Sequence, residues 1–183
     1  MRLICLVLLA LTLSGCGYHF GKGVLCDSYS TVSVPYIDGD TKGDLTTSVI
    51  RAIGESGGFQ YISSGGDLNL LVKIKSRRTE PIGFTYETNG QGERIGALVS
   101  SEDRSSILAE VTVVDCSNNC VLVGPLYFSS SVNYDYQPDT SNLDIAQFSQ
   151  GQLNYRSSAK ESSDTPLYDQ LAKKIVSYLN AYW

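Results

Sequence analysis

The strongest constraint on the fold is residues 67–78, where apolar and basic side chains alternate. The apolar set is Leu68, Leu70, Val72 and Ile74, and the basic set is Lys73, Lys75 and Arg77. Successive side chains of a β-strand point to opposite faces, so this pattern predicts a strand with the apolar set buried and the basic set in water. Such a strand is typical of a sheet that is covered on one face only.

Weaker patterns on both sides of this strand predict the remaining elements. They are a strand at 31–37, a helix from Asp44 to Gly57 with a capping box at Thr41-x-x-Asp44, strands at 107–115 and 121–136, and a final helix that starts at Thr165-Pro166. Residues 79–104 form a connection that can fold as a protruding hairpin around Asn89-Gly90. The order β-α-β-β-β-α predicts an α+β two-layer sandwich, with two helices on one face of an about four-stranded, mostly antiparallel sheet.

The N-terminus has the pattern of an export signal for a lipid-anchored protein. An apolar run at residues 3–13 is too short for a bilayer span and is followed by Ser14, Gly15 and Cys16. We therefore expect cleavage after residue 15 and lipidation of Cys16, with residues 16–30 as a tether and 31–183 as one domain. The alternative is an ordinary secretory signal with a cysteine there by chance. Gly17, rather than an aspartate, favours outer-membrane placement.

Composition excludes several classes of function. A net charge of −5 and a pI near 4.8 argue against nucleic-acid binding. One histidine and no complete set of four zinc ligands argue against a metal site or cofactor. No catalytic constellation is evident, so we expect no enzyme activity.

The spacing of two cysteines beyond the anchor predicts a disulfide. Cys116 and Cys120 flank a Ser-Asn-Asn turn between two β-rich runs, and exported thiols tend to be oxidised. We expect a Cys116–Cys120 disulfide at this hairpin tip. Two free thiols, or a pairing that involves Cys26, are the alternatives.

Three segments resemble the LptE family, the lipoprotein subunits of the outer-membrane lipopolysaccharide translocon. They are Cys-Gly-Tyr-His-Phe at 16–20, Val-Pro-Tyr at 34–36 and Asp-Leu-Asn-Leu-Leu-Val-Lys-Ile at 67–74, with helices and later strands in the order of that family. The resemblance implies a small α/β domain that plugs a large LptD-like β-barrel and assists its assembly and lipopolysaccharide delivery. The alternatives are an unrelated surface or periplasmic lipoprotein binding module and, least favoured, a lipid-anchored hydrolase.

The basic row of residues 73–78 allows two interpretations. Lys73, Lys75 and Arg77, with Arg78 just beyond, would contact lipopolysaccharide phosphates or acidic groups of the barrel partner. In the simpler interpretation each cation pairs with an acid on a neighbouring strand, for which Glu110 is a candidate.

Overall fold

The structure, a computed structural model, describes residue 25 and residues 28–88, 91–136 and 156–182 of the 183-residue chain. Its described elements, in chain order, are β1 (Thr31–Ser33), α1 (Asp44–Ser56), β2 (Gln60–Tyr61), β3 (Leu68–Thr88), β4 (Arg94–Asp115), β5 (Cys120–Asp135) and α2 (Arg156–Ala181). None of the described helices is both long enough and apolar enough to cross a membrane.

The described strands form one open sheet in the order β2-β1-β3-β4-β5. The short strand β1 runs parallel to β2 and β3, whereas the long strands β3, β4 and β5 are antiparallel neighbours. The predicted α+β class and two-layer arrangement are confirmed. The sheet has one strand more than expected because Gln60–Tyr61, which follows α1, pairs with β1.

Both described helices pack against each other, and α2 lies on β4 and β5. The predicted apolar faces form the core between helices and sheet: Leu45, Val49 and Ile53 of α1, Leu68, Leu70 and Val72 of β3, Ile107 and Val113 of β4, and Leu167, Leu171 and Ile175 of α2 are all buried. Burying these side chains away from water is the main stabilising contribution to the fold.

The start of α1 differs from the predicted capping box. Its N-cap is Gly43, which makes no side-chain hydrogen bond, so Thr41 does not cap the helix. The carboxylate of Asp40 instead accepts hydrogen bonds from the backbone N–H and the hydroxyl of Thr46, both at 2.8 Å. Asp40 thereby satisfies a backbone donor of the first turn that has no partner within the helix. Gly57 ends the helix in the left-handed conformation, as predicted.

Three elements extend beyond their predicted bounds. Strands β3 and β4 continue through most of residues 79–104, which we expected to be a connection, and Asn89-Gly90 lies outside the described residues. Threonine, aromatic and β-branched residues in this stretch favour extended backbone. Helix α2 begins at Arg156, nine residues ahead of Thr165, and Pro166 lies inside it. Contacts from Arg156 and Asp164 to the sheet hold these extra turns in place.

Candidate functional site

The basic side chains of β3 do not all lie on one face of the sheet. The pairing of β3 with β4 shifts between Ile74 and Ser76, which leaves Lys75 as an extra residue in a β-bulge. Because one extra residue reverses the alternation, Lys73 stays on the open face while Arg77 turns toward the helices. The prediction that Lys73, Lys75 and Arg77 leave the same face is therefore wrong.

Lys73 and Lys75 form ion pairs near the open face. Lys73 Nζ lies 2.6 Å from Asp38 Oδ2, and Lys75 Nζ lies 3.3 Å from Glu110 Oε2. The hydroxyl of Tyr127 on β5 also donates to Glu110, at 2.9 Å. Hydrogen bonds from Tyr127 and Lys75 lower the pKa of Glu110. This is the pairing with a neighbouring strand that the simpler interpretation of the row predicts for Glu110.

Arg77 joins the sheet to α2. Its guanidinium donates to the hydroxyl of Tyr168 at 2.8 Å and to the carboxylate of Asp164, and it lies 5.6 Å from the centre of the Tyr168 ring. Burial lowers the pKa of Arg77, but the hydrogen bond to Asp164 and the electrostatic attraction of Tyr168 and Asp164 together outweigh it, so the net shift is upward. Arg78 is exposed and forms no ion pair with any described residue.

Cys116 and Cys120 are both free and exposed, so the structure lacks the expected disulfide. The hairpin register explains the difference. Cys120 pairs across the hairpin with Asp115, and Cys116 is the first residue of the turn rather than the cross-strand neighbour of Cys120. The carboxylate of Asp115 closes this turn by accepting bonds from the backbone N–H and hydroxyl of Ser117, at 2.8 and 2.6 Å.

A buried acid lies beneath the start of α2. Asp103 on β4 is completely inaccessible to solvent. It accepts hydrogen bonds from Arg156 Nε at 2.8 Å, from the Tyr136 hydroxyl at 3.1 Å and from the Tyr134 hydroxyl at 3.4 Å. We call Asp103, Tyr134, Tyr136 and Arg156 the polar cluster. Burial raises the pKa of Asp103, but the bonds from Arg156, Tyr136 and Tyr134 and the charge of Arg156 together outweigh this effect, so the net shift is downward.

Next to the polar cluster is a solvent-open cleft of about 450 Å³. Its lining consists of Thr79, Asp103, Tyr134, Arg156, Ser157 and Lys160. Sequence reasoning missed this site, because it joins residues of three strands to the first turns of α2, which lie ahead of the predicted helix start at Thr165. The available signal was the change from apolar to polar residues at inward positions of β4, from Ile107 to Ser105 and Asp103.

Beyond the end of β5, the sheet narrows to two strands. The pairing of β5 with β4 ends at Asp135 and Glu102, whereas β3 and β4 remain paired as far as Thr88 and Arg94. We call residues 84–88 and 94–100 the hairpin arm. Its large apolar side chains are about half exposed: Phe84 54%, Tyr86 47%, Ile95 55% and Leu98 55%. Tyr86 pairs directly with Leu98, and Phe84 is two residues from Tyr86, so these three side chains share one face.

The aromatic residues between positions 127 and 136 include both buried and exposed side chains. Phe128 packs edge-to-face on Tyr178 of α2 with ring centres 5.5 Å apart, and Tyr134 and Tyr136 are buried in the polar cluster. Tyr127 is 59% exposed on the open face, where Leu71 and Val121 are also exposed. This face and the hairpin arm are the principal apolar surfaces of the described chain.

The predicted lipidation site, Cys16, lies outside the described residues, as do His19 and most of the tether at 16–30. The structure therefore does not test the lipid anchor. Within the described residues, no group of three or more histidine, cysteine, aspartate or glutamate side chains is arranged to hold a metal ion.

No protein-family model matches the sequence, and no curated protein matches it. Several similar solved structures are bacterial lipoproteins. A minor lipoprotein from Acinetobacter baumannii is 14% identical over 84% of this chain and 94% of that chain, with a TM-score of 0.46. Rare lipoprotein B from Shewanella oneidensis is 11% identical over 82% and 90%, with a TM-score of 0.43.

A third similar structure is a putative neuraminyllactose-binding hemagglutinin homolog from Helicobacter pylori. It is 11% identical over 88% of this chain and 89% of that chain, with a TM-score of 0.47. Similarities at this level assign neither a family nor an activity to this chain.

Proposed function

We propose that this protein is a non-enzymatic outer-membrane lipoprotein that binds and plugs a large LptD-like β-barrel, helps to assemble it, and thereby serves lipopolysaccharide transport to the cell surface. The observation that carries the proposal is the hairpin arm, which presents Phe84, Tyr86 and Leu98 on one exposed face. The segments that resemble the LptE family give the partner its proposed identity.

The hairpin arm is a two-stranded ribbon that extends past the end of β5. A two-stranded hairpin is marginally stable in water unless its apolar face packs against something. Contiguous exposed apolar side chains on a small protein typically mark an interaction site. Phenylalanine and tyrosine are also enriched in protein interfaces, where they supply a large contact area. The arm therefore has the composition of a docking element.

The open face of the sheet supports the same function. It carries exposed Leu71, Val121 and Tyr127 beside the ion pairs of Lys73 and Lys75. A mixture of apolar side chains and paired charges resembles the polar-rimmed surface of a protein interface. An open sheet face of this kind suits a domain that is enclosed by a larger partner.

The proposed anchor is diacylglycerol and palmitate on Cys16, with the domain facing the periplasm and the barrel lumen. Two or more acyl chains hold a protein stably at a membrane, whereas one chain does so marginally. The proposed function requires no cofactor beyond this covalent lipid.

The proposal includes a contact between lipopolysaccharide and the basic row, and the four cations of that row differ in how available they are. Lys73 and Lys75 are engaged by Asp38 and Glu110, and Arg77 is held by α2. Arg78 has no ion pair among the described residues and is therefore the cation of the row best placed to bind a phosphate. Replacing Arg78 with serine should weaken lipopolysaccharide binding more than replacing Lys73.

The test is affinity purification of the full-length protein from detergent-solubilised membranes. We expect the wild-type chain to retain a β-barrel protein, and a Phe84→Ser/Leu98→Ser variant to lose it. The matched variant Leu71→Ser/Val121→Ser makes two comparable changes on the open face and separates the contribution of that face from that of the arm. Absence of a barrel protein from the wild-type eluate would overturn the proposed function.

Protease treatment of intact cells distinguishes the alternative of a surface binding module. A domain enclosed by a barrel at the periplasmic side should be protected until the outer membrane is permeabilised. Rapid digestion in intact cells would favour the surface module over the plug.

A further inference from the structure

The cleft beside the polar cluster has no part in the proposed docking by the arm and the open face. It lies where the inward side of the sheet becomes polar and where α2 begins, and its exposed lining combines hydroxyl groups with two cations. At about 450 Å³, it is within the size range of small-molecule sites.

Arg156 is oriented by the protein rather than free in solvent. Its Nε donates to the buried carboxylate of Asp103 at 2.8 Å, and its guanidinium lies 5.3 Å from the centre of the Tyr136 ring. Among the described residues, its two terminal Nη amino groups have no hydrogen-bond partner, and the side chain is 57% exposed. A guanidinium held through Nε and an aromatic ring keeps its outer donors in a fixed direction, which lowers the entropy lost when a ligand binds.

Lys160 places a second cation in the same cleft, one helical turn after Arg156. Its ammonium group makes no ion pair with a described residue. The hydroxyl-bearing residues Ser157 and Thr79 complete the polar lining. The oxygens of Asp103 are already engaged by Arg156, Tyr134 and Tyr136, so the cleft offers donors in excess of acceptors.

We propose that this cleft is a binding site for a phosphate monoester group. The Nη donors of Arg156 suit two oxygens of a phosphate, and Lys160 Nζ supplies a second positive charge from the next turn. Ser157 and Thr79 add neutral hydroxyl donors. The positive end of the α2 dipole lies at the same place and favours an anion further.

The local charge selects an anion over a cation. Arg156 and Lys160 contribute two positive charges, and the carboxylate of Asp103 cancels one of them. In a protein of net charge −5, this excess of positive charge is localised at one cleft. Because the protein as a whole is negatively charged, non-specific attraction to its surface would not account for anion binding at this cleft.

The experiment uses the full chain, amide-resolved NMR titration and two probes at constant ionic strength. Inorganic phosphate represents a soluble source, and dihexanoyl phosphatidic acid represents a lipid headgroup. We expect saturable shifts of the amides of Thr79, Ser157 and Lys160 with at least one probe. Tighter binding of phosphatidic acid would identify a lipid headgroup as the source, and equal or weaker binding would identify a soluble phosphate.

Variants test which residues carry the binding. Lys160→Gln should weaken it about tenfold, and Arg156→Lys should weaken it by a similar factor while retaining a cation beside Asp103. Lys173→Gln, an equal change of charge elsewhere on α2, is the control and should bind like wild type. Non-saturable shifts with both probes, or equal weakening by Lys160→Gln and Lys173→Gln, would overturn the proposal.

Discussion

The side chains that β4 points toward the helices are apolar at one end of the strand and polar at the other. At the helix-covered end, its inward side chains are Ile107, Ala109, Val111 and Val113, and all are buried in the apolar core. Toward the arm, the inward positions become Ser105 and Asp103, which are equally inaccessible but polar. One end therefore stabilises the fold through burial, whereas the other depends on the completeness of its hydrogen bonds.

The two ends of β4 therefore differ in what they contribute: the apolar end stabilises the fold, and the polar end shapes the cleft. An aliphatic core tolerates substitutions that keep its volume and apolar pattern, but a buried carboxylate requires each of its partners in place. The polar cluster therefore fixes the position of Arg156 and the start of α2, and with them the shape of the cleft. The arm beyond it extends past the end of β5, with Arg94 stacked on Tyr86 within it, and its Phe84 and Leu98 side chains are about half exposed.

Removal of a core side chain at the apolar end should have the largest effect. Leu171 on α2 is fully buried between the helices and the sheet, so Leu171→Ala should lower the free energy of unfolding by about 3 kcal/mol. Urea denaturation followed by circular dichroism measures the change. A loss below about 1 kcal/mol would mean that α2 is not packed on the sheet as described.

The polar end should respond less to substitution but should respond to pH. Asp103→Asn removes a charged acceptor from Arg156 and should cost about 2 kcal/mol at pH 7. The folded-state pKa of Asp103 is lowered from its ordinary value of 3.8, so its contribution is present above about pH 4 and is lost as the pH falls through the folded-state pKa. The difference in urea midpoint between the wild type and the variant should therefore be smaller at pH 3 than at pH 7. A constant difference between them would contradict the role assigned to this carboxylate.

A third comparison uses the β-bulge at Lys75. Arg77→Ser should lower the free energy of unfolding by about 1–2 kcal/mol, because it removes bonds to Asp164 and Tyr168 in a partly buried site. Lys73→Ser should change it by about 0.5 kcal/mol or less, since Lys73 and Asp38 are both more than half exposed. Equal effects in thermal or urea unfolding would indicate that both cations lie in the same environment and that the bulge is absent.

The sequence patterns predicted the apolar end of the molecule well. Alternation in β3 and the helical spacing in α1 and α2 depend on local geometry, and the structure confirms them. The bulge at Lys75 was not predictable, because a single extra residue changes the face of Arg77 without altering the composition. The cleft was missed because Arg156 and Asp103 are distant in sequence and meet through the tertiary fold, which overrides the weak local helix signal at 156–164.

The smallest effect on stability is expected in the hairpin arm. Phe84 and Leu98 are already about half exposed, so Phe84→Ser/Leu98→Ser should change the free energy of unfolding by about 0.5 kcal/mol or less. The same variant should bind less of a hydrophobic fluorescent dye, because its exposed apolar surface is reduced. The matched variant Leu71→Ser/Val121→Ser measures how much dye the open face binds, and combining both pairs of substitutions should lower dye binding by the sum of the two effects. If the arm variant instead loses more than about 1 kcal/mol of unfolding free energy in urea denaturation, Phe84 and Leu98 pack within the protein. The arm would then be part of the core rather than an exposed docking surface.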